Sequence, residues 1–143
     1  MKVKGLNELK RSLAGIPDQF SSRIMTKAQR NAAEPLVHEM HKRSPVGLTG
    51  DIADSIGVVT EKKLGGVGVG PRRKGGFKGF AGHLVEFGTK RRTTKSSGAN
   101  RGVMPKKPFV EPSWASKKDE VLNGLTKHLS DGITKYLKRT APK

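Results

Sequence analysis

Two histidines three residues apart, His38 and His41 in "HEMH", are the first candidates for chemistry. On a helix they stand about one turn apart and would offer a metal two imidazole nitrogens. A zinc hydrolase spaces its pair by four, as H-E-x-x-H, and adds a third ligand from elsewhere. The spacing here misses that pattern and there is no cysteine to extend a ligand set. The expectation is two surface histidines and no metal. Asp51 and Asp54 would share a helical face as an acid pair, but carboxylates beside a Thr-Gly loop read as helix caps. The stretch "GGVGVG" at 65–70 has the glycines of a phosphate loop. It lacks the Lys-Ser/Thr ending, and Pro71 stands where a helix start would present its N–H groups. No serine or threonine falls in a nucleophile motif. The expectation is a protein that is not an enzyme and uses no cofactor.

The strongest chemical signal is charge. The chain has 143 residues and a formal net charge of +17, and residues 61–110 carry 13 basic side chains against 2 acidic. Arg72, Arg73, Lys74 and Lys78 form one cluster, and Lys90, Arg91, Arg92, Lys95 and Arg101 form another. Cations at this density repel one another, so they are read as a partner-binding surface for a polyanion or an acidic protein face. Phosphate contact needs only such charge. Base readout would need a ribbon or helix for the groove, and single-strand binding would need exposed aromatics. The few aromatics look committed to core faces, so specific DNA recognition is not expected. Between the two clusters lies "LVEFGT", with Glu86 a lone carboxylate in the last turn of a short helix. The helix dipole disfavours an anion there. Glu86 therefore needs a partner, either backbone N–H groups or a nearby cation. It reads as a structural clasp between the short helix and the basic loop.

The elements that must hold these groups follow from periodicity. Leu6, Leu9 and Leu13 predict a short amphipathic helix over Gly5–Leu13, closed by Gly15 and Pro17. Asp18 suits the cap of a long helix in which Phe20, Ile24, Ala28 and Ala32 recur every four residues. Pro35 predicts a kink near Asn31–Pro35, and Pro45 ends the helix. Asp51–Ser55 form one turn. Ile56, Val58 and Val59 begin a strand, and Val67 and Val69 begin a second, paired as a hairpin through Glu61–Gly65. Phe80, Leu84 and Phe87 predict a short helix over Phe80–Phe87 with Gly88 as its left-handed stop. Lys90–Gly102 shows no apolar periodicity and reads as a long polar loop. Pro112 fits the first turn of a final helix whose apolar face is Trp114, Val121, Leu122, Leu125, Leu129, Ile133 and Tyr136. The expected core is Ile24, Ile56, Val58, Val69, Leu122, Leu125 and Leu129.

These elements define an α+β fold: a small antiparallel, hairpin-based sheet packed by a long N-terminal helix and a C-terminal amphipathic helix. Residues 1–143 read as a single domain, with basic loops near 71–79 and 90–104 expected to be mobile. No apolar run approaches the ~18 residues of a membrane span, and the first residues lack a signal-type apolar stretch. The expectation is a protein made and used without secretion and without membrane contact.

The order of motifs resembles a known family. "GLNELKRSL" is followed by "AAEPLVHEM", "SPVGLTGDIADSI", "GHLVEFGT", "MPKKPFVEPSW" and a final amphipathic helix. The carrying residues are Pro45, Thr49, Gly50, Ser55 and Ile56, then Glu86, Phe87, Gly88 and Thr89, then Pro105, Pro108, Phe109 and Pro112. This is similar to the tail-completion, or head–tail joining, proteins of long-tailed double-stranded DNA phages and prophages. The loop "PVGLTG" is one residue longer than the family's shorter Pro-x-x-Thr-Gly form. The resemblance implies a non-enzymatic virion part at the neck, made in the host cytoplasm. It implies a ring of identical subunits, with six the expected number, touching head-connector and tail proteins. The alternative reading, from charge alone, is a non-specific nucleic-acid-binding protein acting through its basic loops, and contact with phage DNA fits either reading.

Overall fold

The computed structural model describes residues 18–47, 50–61 and 66–140. Helix α1 spans Asp18–Arg43, α2 Asp51–Ser55, β1 Ile56–Glu61 and β2 Gly66–Pro71. A 3₁₀ turn at Gly79–Ala81 leads directly into α3, Gly82–Phe87, and α4 spans Val110–Thr140. The fold is α+β, with the two long helices packed on each other and α1 packed on a two-stranded antiparallel sheet. The helix expected over Gly5–Leu13, the turn of the hairpin and Thr49 of the motif lie outside the described residues.

Helix α1 forms because its small and apolar residues recur at helical spacing. Ala28, Ala32, Ala33, Leu36 and Met40 are all buried, and they make one stripe along the helix. The alanines let α4 come close. A Cβ on Gly124 would lie 3.7 Å from the Ala32 Cα, and one on Gly132 would lie 2.7 Å from the Ile24 Cγ2. Going forward from Gly124 to Gly132 on α4 corresponds to going back from Ala32 to Ile24 on α1, so the helices run antiparallel. Leu129 and Ile133 of α4 are buried. Pro35 sits inside α1 without ending it. The helix carries on to Arg43 although Pro35 has no N–H to bond back to the Asn31 carbonyl.

The sheet pairs Ile56 with Pro71 through Glu61 with Gly66. Arg30 of α1 donates to Thr60 Oγ1 of β1 at 2.8 Å, tying helix to sheet. At its other end the sheet joins a tight junction. The Ser55 carbonyl accepts from the Arg72 N–H at 2.9 Å and from Arg72 Nε at 3.0 Å. Buried Ser55 donates its hydroxyl to the Ile52 carbonyl at 2.6 Å. A Cβ on Gly79 would stand 2.5 Å from the Arg72 carbonyl oxygen and 2.5 Å from Ser55 Oγ. Only a glycine fits there.

This junction corrects the expected facing of the short helix. Phe80 and Phe87 point outward, 63% and 80% exposed. The inward side belongs to Gly79 and Gly82, pressed onto Pro71 and Ser55, together with Val85 and Glu86. Close backbone approach at the glycines sets the rotation of the segment and overrides its apolar spacing.

The core differs from expectation in the same way. Ile56 and Leu129 are buried as predicted, while Val58, Val69, Leu125 and Ile24 are half-buried and Leu122 is 46% exposed. The central cluster is Leu36, Met40, Ile56, Val85 and Phe109. A sheet of two strands is too narrow to cover the flank of α4. Trp114, Leu122 and Leu125 therefore line an open groove of ≈ 470 Å³ with Val67 and Val69.

Candidate functional site

Glu86 organises the region that the sequence marks as distinctive. Its Oε2 accepts from the Phe109 N–H at 2.7 Å and the Val110 N–H at 2.9 Å, and its Oε1 accepts from the Glu111 N–H at 3.1 Å. These are the first free N–H groups of α4. An α-helix leaves four such donors at its start, and the fourth here would belong to Pro112, which has none. One carboxylate thus satisfies the whole helix N-terminus, and it lies at the positive end of the helix dipole. The segment "PFVEP" carries no Ser, Thr, Asp or Asn of its own to cap α4.

Burial pushes the Glu86 carboxyl up, but the N–H bonds from Val110, Phe109 and Glu111 outweigh it, and its pKa lies below the ordinary glutamate value. The clasp expected at Glu86 exists, with a correction. Its partner is the backbone of the C-terminal helix, 23 to 25 residues away, and the basic loop takes no part in those bonds.

The residues around Glu86 hold the same joint. The Lys107 N–H donates to the Val85 carbonyl at 2.8 Å. Gly88 has φ 73, and a Cβ there would meet the Lys106 N and the Met104 carbonyl oxygen, each at 2.9 Å. Gly88 is thus excluded from substitution twice, by conformation and by space. The Thr89 N–H donates to the Met104 carbonyl, and Thr89 Oγ1 accepts from the Met104 N–H, both at 3.0 Å. Phe109 is fully buried, whereas Phe87 of the same motif set faces solvent.

From this joint the segment expected as an irregular polar loop rises as a hairpin. Thr93 bridges Asn100 in antiparallel sense. The Arg101 N–H donates to the Arg92 carbonyl at 2.7 Å, the Arg92 N–H to the Gly102 carbonyl at 3.2 Å, and the Thr94 N–H to the Ala99 carbonyl at 3.0 Å. At the tip, Thr94 Oγ1 bonds Ser97 Oγ at 2.6 Å and accepts from the Ala99 N–H at 3.1 Å. Lys90, Arg91, Arg92, Lys95 and Arg101 are all exposed along this hairpin.

The first basic cluster divides. Arg73 and Lys74 are exposed, and Lys78 lies 3.8 Å from Asp51. Arg72, expected among the partner-binding cations, serves the fold. It is half-buried, bonds the Ser55 carbonyl and stacks over the Phe77 ring at 3.6 Å from its centroid. That packing also fills the space above Gly57, and no spacing in the sequence announces it. His38 and His41 are exposed on α1. Asp51 and Asp54 fall in the single turn of α2, whose N-cap Gly50 makes no side-chain cap. Among the described residues no group of three or more His, Cys, Asp or Glu could hold a metal.

The buried carboxylate is thus spent on the chain's own backbone, while Phe80, Phe87 and the cations of the hairpin face outward. The family comparison gives the class. A model described as "Bacteriophage HK97-gp10, putative tail-component" matches residues 7–88, more than half of the chain. The chain belongs to this HK97-gp10-like family and is a structural component of a phage tail. Its setting is the virion and its partners are other phage tail proteins. The match ends at Gly88, so the hairpin and α4 lie beyond it. No curated protein and no solved structure matches the chain. No helix among the described residues is long and apolar enough to cross a membrane.

Proposed function

We propose that this tail component completes the tail at the neck, joining it to the head as a ring of identical copies, with six the expected number. It does so by surface docking, with no catalytic step and no cofactor. The observation that carries this reading is the outward display of Phe80 and Phe87 on a segment whose opposite side is locked by Gly79, Gly82 and Glu86. Two aromatic rings held in solvent by a rigid joint are poor design for a lone subunit and good anchors for a neighbour. The open groove beside Trp114 and Leu122 adds a second uncovered apolar surface. The motif order from Pro45 to Pro112 supports the neck in particular.

The test is a reconstruction of the assembled particle. The expected result is closed-ring density between the head connector and the tail tube, into which the α1–α4 pair fits, with Phe87 buried against another chain. Density along the tube or at the distal tip, with Phe87 still in solvent, would overturn the assignment.

A further inference from the structure

The hairpin between Gly88 and Met104 is more specialised than its charge alone shows. From Phe87 to Val110 there is no acidic residue, and there are seven basic ones. Beside the Thr93–Asn100 bridge the Arg101 N–H donates to the Arg92 carbonyl, while the Arg92 N–H reaches past Arg101 to the Gly102 carbonyl. Arg101 and Gly102 together thus face Arg92 in a bulge that brings the two arginines across from each other. Like charges brought across from each other on paired strands destabilise the pair. Both side chains are exposed and no carboxylate on the hairpin offsets them. An anion between the two guanidiniums would turn this repulsion into a paired contact.

The composition of the hairpin selects the kind of anion. Between Thr89 and Gly102 the only apolar side chain is Ala99, and the one large exposed apolar residue of the arm, Val103, stands at its root. Protein interfaces are centred on aromatic and large apolar anchors, and this segment has none. It supplies instead five cations together with the hydroxyls of Thr93 and Ser96, the donors that phosphate oxygens take. Asn100 Oδ1 accepts from the Gly102 N–H at 2.9 Å, which ties its amide to the hairpin backbone. Asn100 is the one Asn or Gln on the hairpin, so base-edge readout has at most a single amide to draw on.

We propose that the 88–104 hairpin is a phosphate-contacting arm for duplex DNA, with Arg92 and Arg101 as a paired clasp on the backbone. Arg91, Lys90 and Lys95 add contacts along the same strand of the ribbon, and binding does not depend on base sequence. The joint at Glu86, Gly88 and Thr89 fixes the root of the arm against α4. In the assembled ring this gives the neck a surface for the DNA that passes it, and to that extent the inference rests on the junction reading.

The experiment uses the full chain and a fluorescein-labelled random-sequence duplex, with affinity followed by anisotropy over a series of salt concentrations. The variant Arg91→Ala/Arg92→Ala/Arg101→Ala is compared with Lys118→Ala/Lys127→Ala/Lys138→Ala at exposed positions of α4, which loses the same charge. Each lost phosphate contact lowers the slope of log affinity against log salt by about 0.9. The expected result is a slope reduced by about 2–3 for the hairpin variant and by less than about 1 for the α4 variant. Arg92→Lys/Arg101→Lys should keep the slope, and matching thermal melts should show that all variants fold. Equal slope changes for the two triple variants would overturn the proposal, because net charge would then explain the binding. Polyglutamate displacing the duplex at matched charge would overturn it in favour of an acidic protein surface. Either failure leaves the position of the ring untouched, since the particle reconstruction tests that separately.

Discussion

Cutting Phe109 back to alanine is expected to lower folding stability by about 3–5 kcal/mol. Phe109 is 0% exposed and lies in the cluster with Leu36, Met40, Ile56 and Val85. It therefore joins α1, β1, α3 and the start of α4 in a single side chain. Its removal leaves a cavity that cannot collapse from any one side, because the Phe109 N–H is held by Glu86 and its carbonyl accepts from the buried Ser113 hydroxyl at 2.5 Å. The check is the denaturation midpoint in urea, with an unchanged slope. The exposed ring of Phe87 provides the control. Phe87→Ala should leave the free subunit's midpoint nearly unchanged, because no apolar surface is uncovered by its loss.

Removing the Glu86 carboxylate has the second largest effect. Glu86→Ala leaves three backbone N–H groups at the start of α4 without their acceptor. Hydrogen bonds to a charged acceptor are stronger than neutral ones, so the expected loss is roughly 3 kcal/mol. Glu86→Gln keeps one acceptor oxygen but turns an NH₂ toward a donor, for a loss of about 1–2 kcal/mol. The effect carries a pH signature. The folded-state pKa of Glu86 is lowered, so on acidification the unfolded chain takes up this proton before the folded chain does. The stabilisation is complete above the unfolded-state value and is lost as the pH falls through the lowered folded-state value. The stability gap between wild type and Glu86→Gln should therefore be constant near neutrality and close in acid below the ordinary glutamate range. A gap that persists unchanged in strong acid would show that Glu86 acts by shape alone.

Much of this architecture was legible in the residues. The four-residue recurrence in α1, the alternation of Val67 and Val69 and the apolar stripe through Leu129 and Ile133 each belong to a local period that the fold keeps. The need of Glu86 for a partner was also legible, because an anion in the last turn of a helix is uncompensated. The identity of that partner was not, since it lies across a tertiary contact. A signal existed in "PFVEP", a helix start without a capping side chain and with Pro112 where a fourth donor would stand. The outward facing of Phe80 and Phe87 departs from their spacing for a definite reason. Apolar spacing suggests burial, yet Gly79 and Gly82 are pressed against neighbouring backbone and side chain, and steric contact admits no compromise there. Leu122 lies 46% exposed although it falls on the apolar stripe, because the extent of the sheet, and hence of the cover over α4, is not a local property. The hairpin at 88–104 escaped because its pairing rests on backbone bonds and on glycines at positive φ, Gly98 and Gly102, with no apolar alternation to announce it.

The most direct test of the account is the particle phenotype of a null mutant in the phage or prophage that encodes this chain, with and without the intact protein supplied in trans. A joining role at the neck predicts DNA-filled heads and complete tails that accumulate apart, and joined, infectious particles once the protein is restored. Joined particles at normal yield without the protein, or tails that never assemble, would contradict it.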